Sequence, residues 1–488
     1  MKTIPEIFAA QPSDYGAPEV HLPSGGRDIF VTSDLHLAGG RSPDGRYRGT
    51  ENFFADEAFV RFLTYAKNAS SKKPILIING DFIDYLRIKE IPESDGEFSL
   101  WQAELQAIGI TKSKDELRAS VSKKEIRYGL KTNDYKSIWK LYLVSVGHRN
   151  LFAGLADWVA NGHTLIITKG NHDLEWYYEN IRRYFAYLLA RITAKANGQT
   201  VEETLPEVLK QLMFIDHAVT FDKICYIEHG HRFDKFSNPV GPPLIENTDE
   251  LNIPFGSFFN RYLINKIELV YPYLDNIKPT ENLLPLLIRE RFPLALKVLF
   301  LHIPFLAKVI PKKYFRYMFQ DVLVYFLTLG APLAFAIYII YKTIAADFVP
   351  TTEDVNPIIA RVLEASKSVA VMVGSYVLSR IVAYFQLEEP TSLANFAEDT
   401  FKERPELQLV TMGHTHHADQ FSLDGKWFFN TGTWIPIIET SSGNISHDRT
   451  FVFLHIVNKN ETLTCESLAR WNDDAGRPES LVLINKKD

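Results

Sequence analysis

The amino-acid sequence predicts an α/β protein with layered sheets, and three observations lead to that class. Short runs rich in Ile and Val alternate with stretches of helical periodicity. The runs are apolar at consecutive positions, as is typical of strands covered on both faces. With 488 residues and 46% hydrophobic content, the chain can also bury a large core, so we expect a globular protein and not a disordered one.

Five apolar runs, taken in chain order, each end in side chains that can bind metal ions. The helical patterns FADEAFVRFLTYAKNAS and IWKLYLVSVGHRNLFAGLADWVANG precede the second and third runs. Because ligand sites of layered α/β folds gather at the carboxyl ends of strands, we expect the five endings to meet in space. The runs are RDIFVTSDLHL, KPILIINGDFID, HTLIITKGNHD, KICYIEHGHRFD and LQLVTMGHTHHA.

The polar residues at these endings favour a metal site over a series of ordinary turns. One Gly-His or Gly-Asp pair after a strand usually forms a turn, but turn chemistry gives no reason for Asp, His and Asn to recur five times. Imidazole, carboxylate and amide ligands without a thiolate suit Mn, Fe or Zn. The ligands outnumber what one ion takes and a carboxylate can bridge two, so the pattern indicates a dinuclear centre. Two ions about 3.5 to 4 Å apart support phosphoester hydrolysis.

The series of motifs resembles that of the calcineurin-like metallophosphoesterase superfamily. DLH, GDFID, GNHD, HGH and GHTH follow the family order DxH, GDxxD, GNH(D/E), H and GHxH. A later stretch, FFNTGTW, resembles the family's closing strand, and the match covers roughly residues 28–235 and 405–460. The resemblance implies a layered β-sandwich flanked by helices, with two divalent ions, manganese first and iron or zinc as alternatives.

The resemblance also implies a role for each motif residue. Asp81 would bridge the two ions, and His172 would act as the acid or phosphate-stabilising group, held by Asp84. The other metal ligands would be Asp34, His36 and His416 for the first ion, and Asn171, His229 and His414 for the second. Four further residues, for which plain solvent exposure is the alternative, are predicted to contact substrate: His231, His417, Arg46 and Arg48.

The motifs narrow the substrate only in part. GDFIDYL lacks the Arg-Gly pair of the phosphoprotein phosphatases, so protein dephosphorylation is not favoured. SDLHL, HGHRFD and GHTHHA are more similar to the UDP-2,3-diacylglucosamine hydrolase branch, which cleaves a pyrophosphate in a lipid precursor. GNHD and HGH depart from the GNRD and HGD of that branch, so its substrate is not carried over.

A long apolar insertion between the motifs favours an amphiphilic substrate. We expect a catalytic domain in two parts, residues 1–240 and 401–488, around an apolar helical insertion at 241–400. Residues 322–341 lack charge over about 30 Å of helix, and 368–387 form a second, poorer membrane candidate interrupted by Arg380. A transmembrane hairpin and a buried helical cap are the two interpretations.

Charge and composition predict where the protein acts. The stretch RERFPLALKVLFLHIPFLAKVIPKKYFRYMF combines basic and bulky apolar residues, as an element on an anionic leaflet would. Acidic residues concentrate between the two membrane candidates and basic ones before the first, so the positive-inside rule predicts the cytoplasmic face of a membrane. The N-terminus lacks the apolar region of a secretory signal, and Cys225 and Cys465 do not suggest a disulfide framework.

We therefore expect a metal-dependent hydrolase of a phosphate ester or pyrophosphate on a lipid-linked or amphiphilic molecule. A nuclease or cyclic-nucleotide phosphodiesterase is the first alternative, although a net charge of −6 does not favour nucleic acid as a partner. A non-catalytic scaffold is the second alternative, but it would have lost metal ligands that are all present here. The sequence does not indicate an oligomeric state.

Overall fold

The computed structural model of the chain describes residues 2–10, 15–268, 277–278, 287, 289–302, 305, 308–317, 393–439, 450–460, 462–465 and 467–481. The chain divides into two units, Met1–Val309 with Leu393–Asp488, and Ile310–Ser392. The predicted boundaries at residues 240 and 401 stay predictions. The membrane candidates at 322–341 and 368–387 lie outside the described residues. Within the described ranges, no helix is long and apolar enough to cross a bilayer.

Sixteen strands are described, and most of them are four to six residues long. In chain order they are β1 Glu19–Leu22, β2 Ile29–Thr32, β3 Ile75–Asn79, β4 Thr164–Thr168, β5 Leu212–Ile215, β6 Ala218–Phe221, β7 Cys225–Glu228, β8 Ile277–Lys278, β9 Leu409–Met412, β10 Ala418–Leu423, β11 Lys426–Thr431, β12 Ile438–Glu439, β13 Val452–Lys459, β14 Thr462–Thr464, β15 Ala469–Asn472 and β16 Arg477–Ser480.

The described α-helices lie mainly between the strands of the first half of the chain. They are α1 Ile4–Ala9, α2 Asp56–Ala69, α3 Asp95–Gln106, α4 Lys114–Ser120, α5 Lys123–Tyr128, α6 Asp134–Gly147, α7 Arg149–Ala160, α8 Glu179–Asn197, α9 Val201–Gln211, α10 Phe255–Phe259, α11 Asn265–Ile267, α12 Phe292–Lys297, α13 Lys312–Tyr317 and α14 Leu393–Glu403. Short 3₁₀ helices cover Leu174–Tyr177 and His231–Phe233, and π-helical turns cover Asn260–Ile264 and Val298–His302.

Two mixed sheets form the centre of the larger unit, which confirms the predicted α/β class. Sheet I has the order β16-β15-β13-β2-β3-β4-β5, with β14 paired to β13, and its strands β2 to β5 are parallel. Sheet II has the order β1-β6-β7-β9-β11-β10, in which β7, β9 and β11 are parallel. Parallel neighbours end at the same edge, so the loops that follow them are close in space.

Alternate residues of sheet I face two different layers. Ile29 and Val31 of β2 share a core with Val219 and Ile227 of sheet II. Phe30, between them, packs in a second core with helix residues such as Phe59. Because side chains alternate along a strand, this pattern places the two sheets face to face and the helices on the outer face of sheet I.

Helix α14 covers the outer face of sheet II. Its residues Ala397 and Phe401 share a core with Val410 and Met412 of β9. The larger unit is therefore built of helices, two sheets and a further helix. The large apolar helical insertion of the predicted fold stays a prediction, since most of it lies outside the described residues.

The helical pattern at residues 138–162 lies on two helices, α6 and α7, with the break at His148. His148 has φ −114° and ψ 42°, outside the helical range, and its ring is fully buried. Its Nδ1 lies 2.9 Å from Asp56 Oδ1 and its Nε2 lies 3.0 Å from Glu51 Oε2. Glu51 Oε2 also accepts a hydrogen bond from the Gly40 amide at 2.6 Å. Through Glu51, His148 therefore connects the two helices to the loop after the first motif.

The same ring is expected to make stability depend on pH. Burial alone would lower the pKa of His148, but Glu51 and Asp56 raise it to about 9. A raised folded-state pKa gives stability that is complete below the ordinary value of about 6.5 and is lost as the pH rises through about 9. We predict that this group contributes about 3 kcal/mol at pH 6, and that urea unfolding of the native chain shows most of the loss by pH 9.5.

The variant His148→Ala should lose this pH dependence and be destabilised by about 3 to 5 kcal/mol, because it leaves two buried carboxylates without their partner. His21→Ala serves as the control, since that side chain is 61% exposed. An unfolding free energy for His148→Ala that matches the native chain at pH 6 would contradict this account.

Candidate metal centre

Each of the five motifs directly follows the end of a parallel strand. Asp34 and His36 come after β2, and Asp81 and Asp84 come after β3. The other three loops follow β4, β7 and β9, which bring in Asn171 with His172, His229, and His414 with His416. The strand ends of both sheets thus deliver imidazoles, carboxylates and an amide to one place, as expected for a site in layered α/β folds.

Five of the predicted metal ligands have an unusual backbone conformation. Eleven described residues other than glycine have positive φ, and these five are among them. Left-handed backbone is costly for residues with a Cβ atom, and such strain concentrates at functional sites. The five are Asp34 (54°), His36 (49°), Asp81 (51°), His414 (72°) and His416 (58°).

Glycines in the motifs allow the loops to approach these carboxylates. A Cβ atom at Gly413 would lie 2.7 Å from Asp34 Oδ2 and 2.6 Å from Ser33 Oγ. A Cβ atom at Gly170 would collide with Asp81 Oδ1. Any side chain at either position would push a loop away from the cluster.

A first donor group consists of Asp34, His36, Asp81 and His416, whose ligand atoms lie within 4.8 Å of one another. His36 Nε2 lies 2.9 Å from His416 Nε2 and 3.6 Å from Asp81 Oδ2. His416 Nε2 lies 3.3 Å from Asp34 Oδ1. Three of the four residues are buried and His416 is half-buried, so the donors point inward at one another.

A second donor group shares Asp81 with the first and adds His229 and His414. His229 Nε2 lies 3.3 Å from Asp81 Oδ2, while its Nδ1 faces the Asn79 carbonyl at 2.8 Å. Asn171 lies beside this group, with its Oδ1 3.4 Å from His229 Nε2. The backbone carbonyl fixes the ring so that Nε2 is the nitrogen that faces the other donors.

A third donor group contains His36, Asp84 and His172. His172 Nδ1 lies 2.8 Å from Asp84 Oδ2, and the rings of His36 and His172 meet edge to face at 4.7 Å. The His172 amide also donates to Asp81 Oδ1 at 2.8 Å. His172 is therefore oriented by two carboxylates, with its Nδ1 directed at Asp84.

Asp84 is itself held by a buried ion-pair network. Arg87 Nε lies 3.2 Å from Asp84 Oδ2, and Arg87 Nη1 lies 2.6 Å from Glu268 Oε2. Both side chains of the second pair are at most 2% exposed. Asn265 donates to the Leu86 carbonyl at 2.7 Å, so the segment around α11 is joined to the loop that carries Asp84.

In the cluster, the imidazoles lower the pKa values of the carboxyl groups, and the carboxylates raise the pKa values of the imidazoles. Burial opposes charge on Asp34, yet the neighbouring imidazoles of His36 and His416 hold its pKa far below the ordinary value. Burial would lower the pKa of His36, but Asp34 and Asp84 raise it to about 10, and Asp81 likewise raises the pKa of His229 to about 9. An ion that binds here must displace protons from these rings, so metal affinity should increase with pH.

The donors fit divalent metal ions. Asp34 Oδ1 is buried and accepts no hydrogen bond within the described part of the chain, although it faces the ring of His416. An unsatisfied buried carboxylate oxygen is costly, and a cation would remove the cost. The buried His and Asp side chains could therefore hold metal ions, and nitrogen and oxygen donors without sulfur suit Mn, Fe or Zn.

The residues predicted to contact substrate lie in different surroundings. His231 is close to the cluster, with its ring 5.4 Å from that of His229, and burial with the nearby His229 lowers its pKa. His417 is exposed. Arg46 is 87% exposed beside Asp44, and Arg48 contacts Glu90 at 3.4 Å. Neither arginine bonds to a clustered residue among those described, and their substrate role stays a prediction.

Three residues near the cluster were not singled out from the sequence. Asp234 Oδ2 lies 3.3 Å from His414 Nε2, and Asp173 accepts the Phe82 amide at 2.9 Å. Asn430 donates to the Gly413 carbonyl at 2.8 Å and so fixes the last motif. The sequence motifs could have pointed to these residues, because HGHRFD, GNHD and FFNTGTW each contain one of them.

Comparison of the chain with protein-family models, with curated proteins and with solved structures finds no match.

We predict that Asp81→Ala loses metal binding. The substitution removes the carboxylate that the first two donor groups share, so Mn²⁺ affinity should fall by more than the roughly 10- to 100-fold that loss of an outer partner causes. Isothermal titration with Mn²⁺ and elemental analysis measure this. Asp216→Ala is the matched control, since this partly buried carboxylate pairs with Lys169 outside the three groups. Equal Mn²⁺ content in Asp81→Ala and the native chain would refute the assignment.

Proposed function

We propose that this protein is a metal-dependent phosphohydrolase of the calcineurin-like metallophosphoesterase superfamily, which cleaves a phosphate ester or pyrophosphate. The observation that carries the proposal is the overlap of two donor groups at the single carboxylate of Asp81. Overlapping groups suit a pair of ions that share a ligand, and a pair of ions suits attack of water on phosphorus. The spacing of the motifs in the sequence supports the same class.

The proposed ligands are those predicted from the motifs, with two divalent ions and manganese as the first expectation. Asp34, His36 and His416 would hold one ion, while Asn171, His229 and His414 would hold the other, with Asp81 between them. Such ions supply an activated water and neutralise charge on the phosphate oxygens.

His172 is proposed to act on the leaving group. Its Nδ1 faces Asp84 at 2.8 Å, so its Nε2 is the atom available to donate a proton to the departing oxygen. The ring lies against His36 and is 12% exposed, which suits contact with a substrate at the cluster. Asp84, buried and paired with Arg87, would keep the ring in this orientation.

The proposed substrate is lipid-linked or amphiphilic, and the protein is proposed to act at the cytoplasmic face of a membrane. Support comes from the apolar insertion in the sequence and from exposed apolar side chains near α12. A phosphorylated small molecule without a lipid group is the alternative substrate under the same proposal. A nuclease would need a basic groove, and the net charge of −6 does not favour one.

A hydrolysis screen with added Mn²⁺ tests the substrate class. The detergent-solubilised chain is given UDP-diacylglucosamine, phosphatidyl phosphates, a soluble diester reporter and single-stranded DNA under identical conditions. We predict the highest kcat/KM on a lipid-linked phosphate or pyrophosphate. Preference for DNA or for the soluble diester would overturn the lipid proposal in favour of a nuclease or phosphodiesterase. A chain that binds Mn²⁺ but hydrolyses none of the four would favour a scaffold.

We predict that His172→Ala slows hydrolysis by about 10²- to 10⁴-fold and keeps the Mn²⁺ content of the native chain. The loss should be larger for an alkyl phosphate than for p-nitrophenyl phosphate, because a good leaving group needs no proton. His21→Ala, at an exposed position, is the control for the loss of a histidine. A uniform loss for both leaving groups, or a loss of bound Mn²⁺, would contradict the role as an acid.

A further inference from the structure

Exposed apolar side chains are concentrated in one short segment at residues 289–302. Of the seven large apolar side chains that are exposed in the described part of the chain, three lie here. They are Phe292 at 56%, Leu296 at 38% and Leu301 at 54% exposure, and we call them the apolar patch. Clusters of exposed apolar side chains mark surfaces that contact a partner or a membrane.

Helix α12 carries two of the three side chains of the apolar patch and exposes both of them. Ala295 of α12 and Val298, which begins the following π-helical turn, are buried, at 0% and 3% exposure. Phe292 and Leu296 are four residues apart and therefore lie on a common face, which is exposed. A surface helix of a soluble protein normally presents polar residues there, whereas a helix at a lipid interface presents apolar ones.

The π-helical turn Val298–His302 packs on the turn Asn260–Ile264, and Phe305 makes aromatic contacts with the same surroundings. The Phe305 ring stacks on Tyr128 with centroids 5.5 Å apart, and it meets the Tyr262 ring edge to face at 6.1 Å. Tyr128 ends α5, and Tyr262 lies in the π-helical turn Asn260–Ile264. The patch is therefore presented by a supported segment.

Positive charge surrounds the patch in a chain whose net charge is −6. From Arg289 to Lys308 the sequence has four Lys and Arg residues and one acid, Glu290. That acid pairs with Arg289 at 3.1 Å. Arg291 and Lys297, which flank or belong to α12, are exposed. The net charge of this segment is thus positive, whereas that of the whole chain is negative.

Further cations come from neighbouring segments. Lys266 Nζ lies over the Tyr128 ring at 5.3 Å, and Lys124 Nζ lies over the Tyr262 ring at 4.6 Å. Partial burial, with Lys297, Arg127 and Lys266 nearby, lowers the pKa of His302. Cations from three stretches of the chain therefore gather around His302, next to the patch.

We propose that the apolar patch and its surrounding cations dock on an anionic lipid bilayer. Apolar side chains that enter the boundary of the acyl chains and cations that meet anionic headgroups are the two contributions to binding of this kind. An apolar protein surface would match the patch but not the cations, and a polyanion such as nucleic acid would match the cations but not the patch. The inference does not depend on the proposed hydrolytic activity, since its test measures no turnover.

A spin label on the patch tests the proposal directly. Leu301→Cys carries a nitroxide in a Cys465→Ser background, in which the remaining Cys225 is buried. The full chain is mixed with phosphatidylcholine vesicles, or with phosphatidylcholine and phosphatidylglycerol vesicles. We expect the mixed vesicles alone to shield the label from an aqueous nickel complex and expose it to oxygen dissolved in lipid. The label reports only on the apolar patch, so the result does not depend on how other parts of the chain contact the membrane.

Two controls separate the patch from other surfaces. A label at Ile245→Cys, which is 40% exposed beside Glu246, should stay accessible to nickel with both kinds of vesicle. Arg291→Glu with Lys297→Glu should need at least roughly tenfold more anionic lipid for the same protection of the Leu301→Cys label. Lys195→Glu with Lys210→Glu, the same change of charge on α8 and α9, should have no such effect.

Three results would overturn the proposal. The label at Leu301→Cys could stay accessible to nickel with anionic vesicles, or be protected equally by vesicles without anionic lipid. Protection that needs no vesicles and increases with protein concentration would instead show a second copy of the chain on the patch.

Discussion

The buried carboxylate of Asp81 is the interaction on which the rest of the site depends. One of its oxygens lies 3.3 Å from His229 Nε2 and 3.6 Å from His36 Nε2, while the other accepts the His172 amide. It therefore joins the loops after β2, β3, β4 and β7. A carboxylate with 1% exposure is expensive unless cations or donors surround it, which explains why imidazoles face it from several sides.

Forming the cluster costs folding free energy, and the packing of the two sheets must offset that cost. Left-handed backbone at five candidate ligands costs about 1 to 3 kcal/mol each, and buried like charges add to this. The cores on both faces of sheet I stabilise the strands whose ends carry the loops. A bound cation would relieve both the unsatisfied Asp34 oxygen and the repulsion between carboxylates, so metal binding and folding should be coupled.

A second constraint links the cluster to the start of the insertion. Asp84 Oδ2 contacts both His172 and Arg87, and Arg87 also pairs with Glu268. Glu268 adjoins α11, far along the sequence from the motif that it supports. The position of the insertion segment is thereby coupled to the orientation of the proposed acid, although the two belong to different parts of the chain.

The α/β class and the convergence of the motif residues could be predicted from the sequence, because parallel strands end at a common edge and Ile-rich runs mark those strands. Contacts that join distant segments could not be predicted from the sequence. The Arg87–Glu268 pair and the Asp234–His414 pair, for example, leave no local sequence pattern. The helix break at His148 was hidden for the same reason, because its two carboxylate partners lie about ninety residues earlier. The contact of Arg48 with Glu90 leaves no local pattern either, and the role of Arg48 toward substrate stays a prediction.

Electron paramagnetic resonance of the Mn²⁺-loaded chain tests the central claim most directly. If Asp81 is shared by two ions, saturating Mn²⁺ should give the spectrum of an exchange-coupled pair. The spectrum of isolated ions alone, at every ratio of Mn²⁺ to protein, would contradict the account.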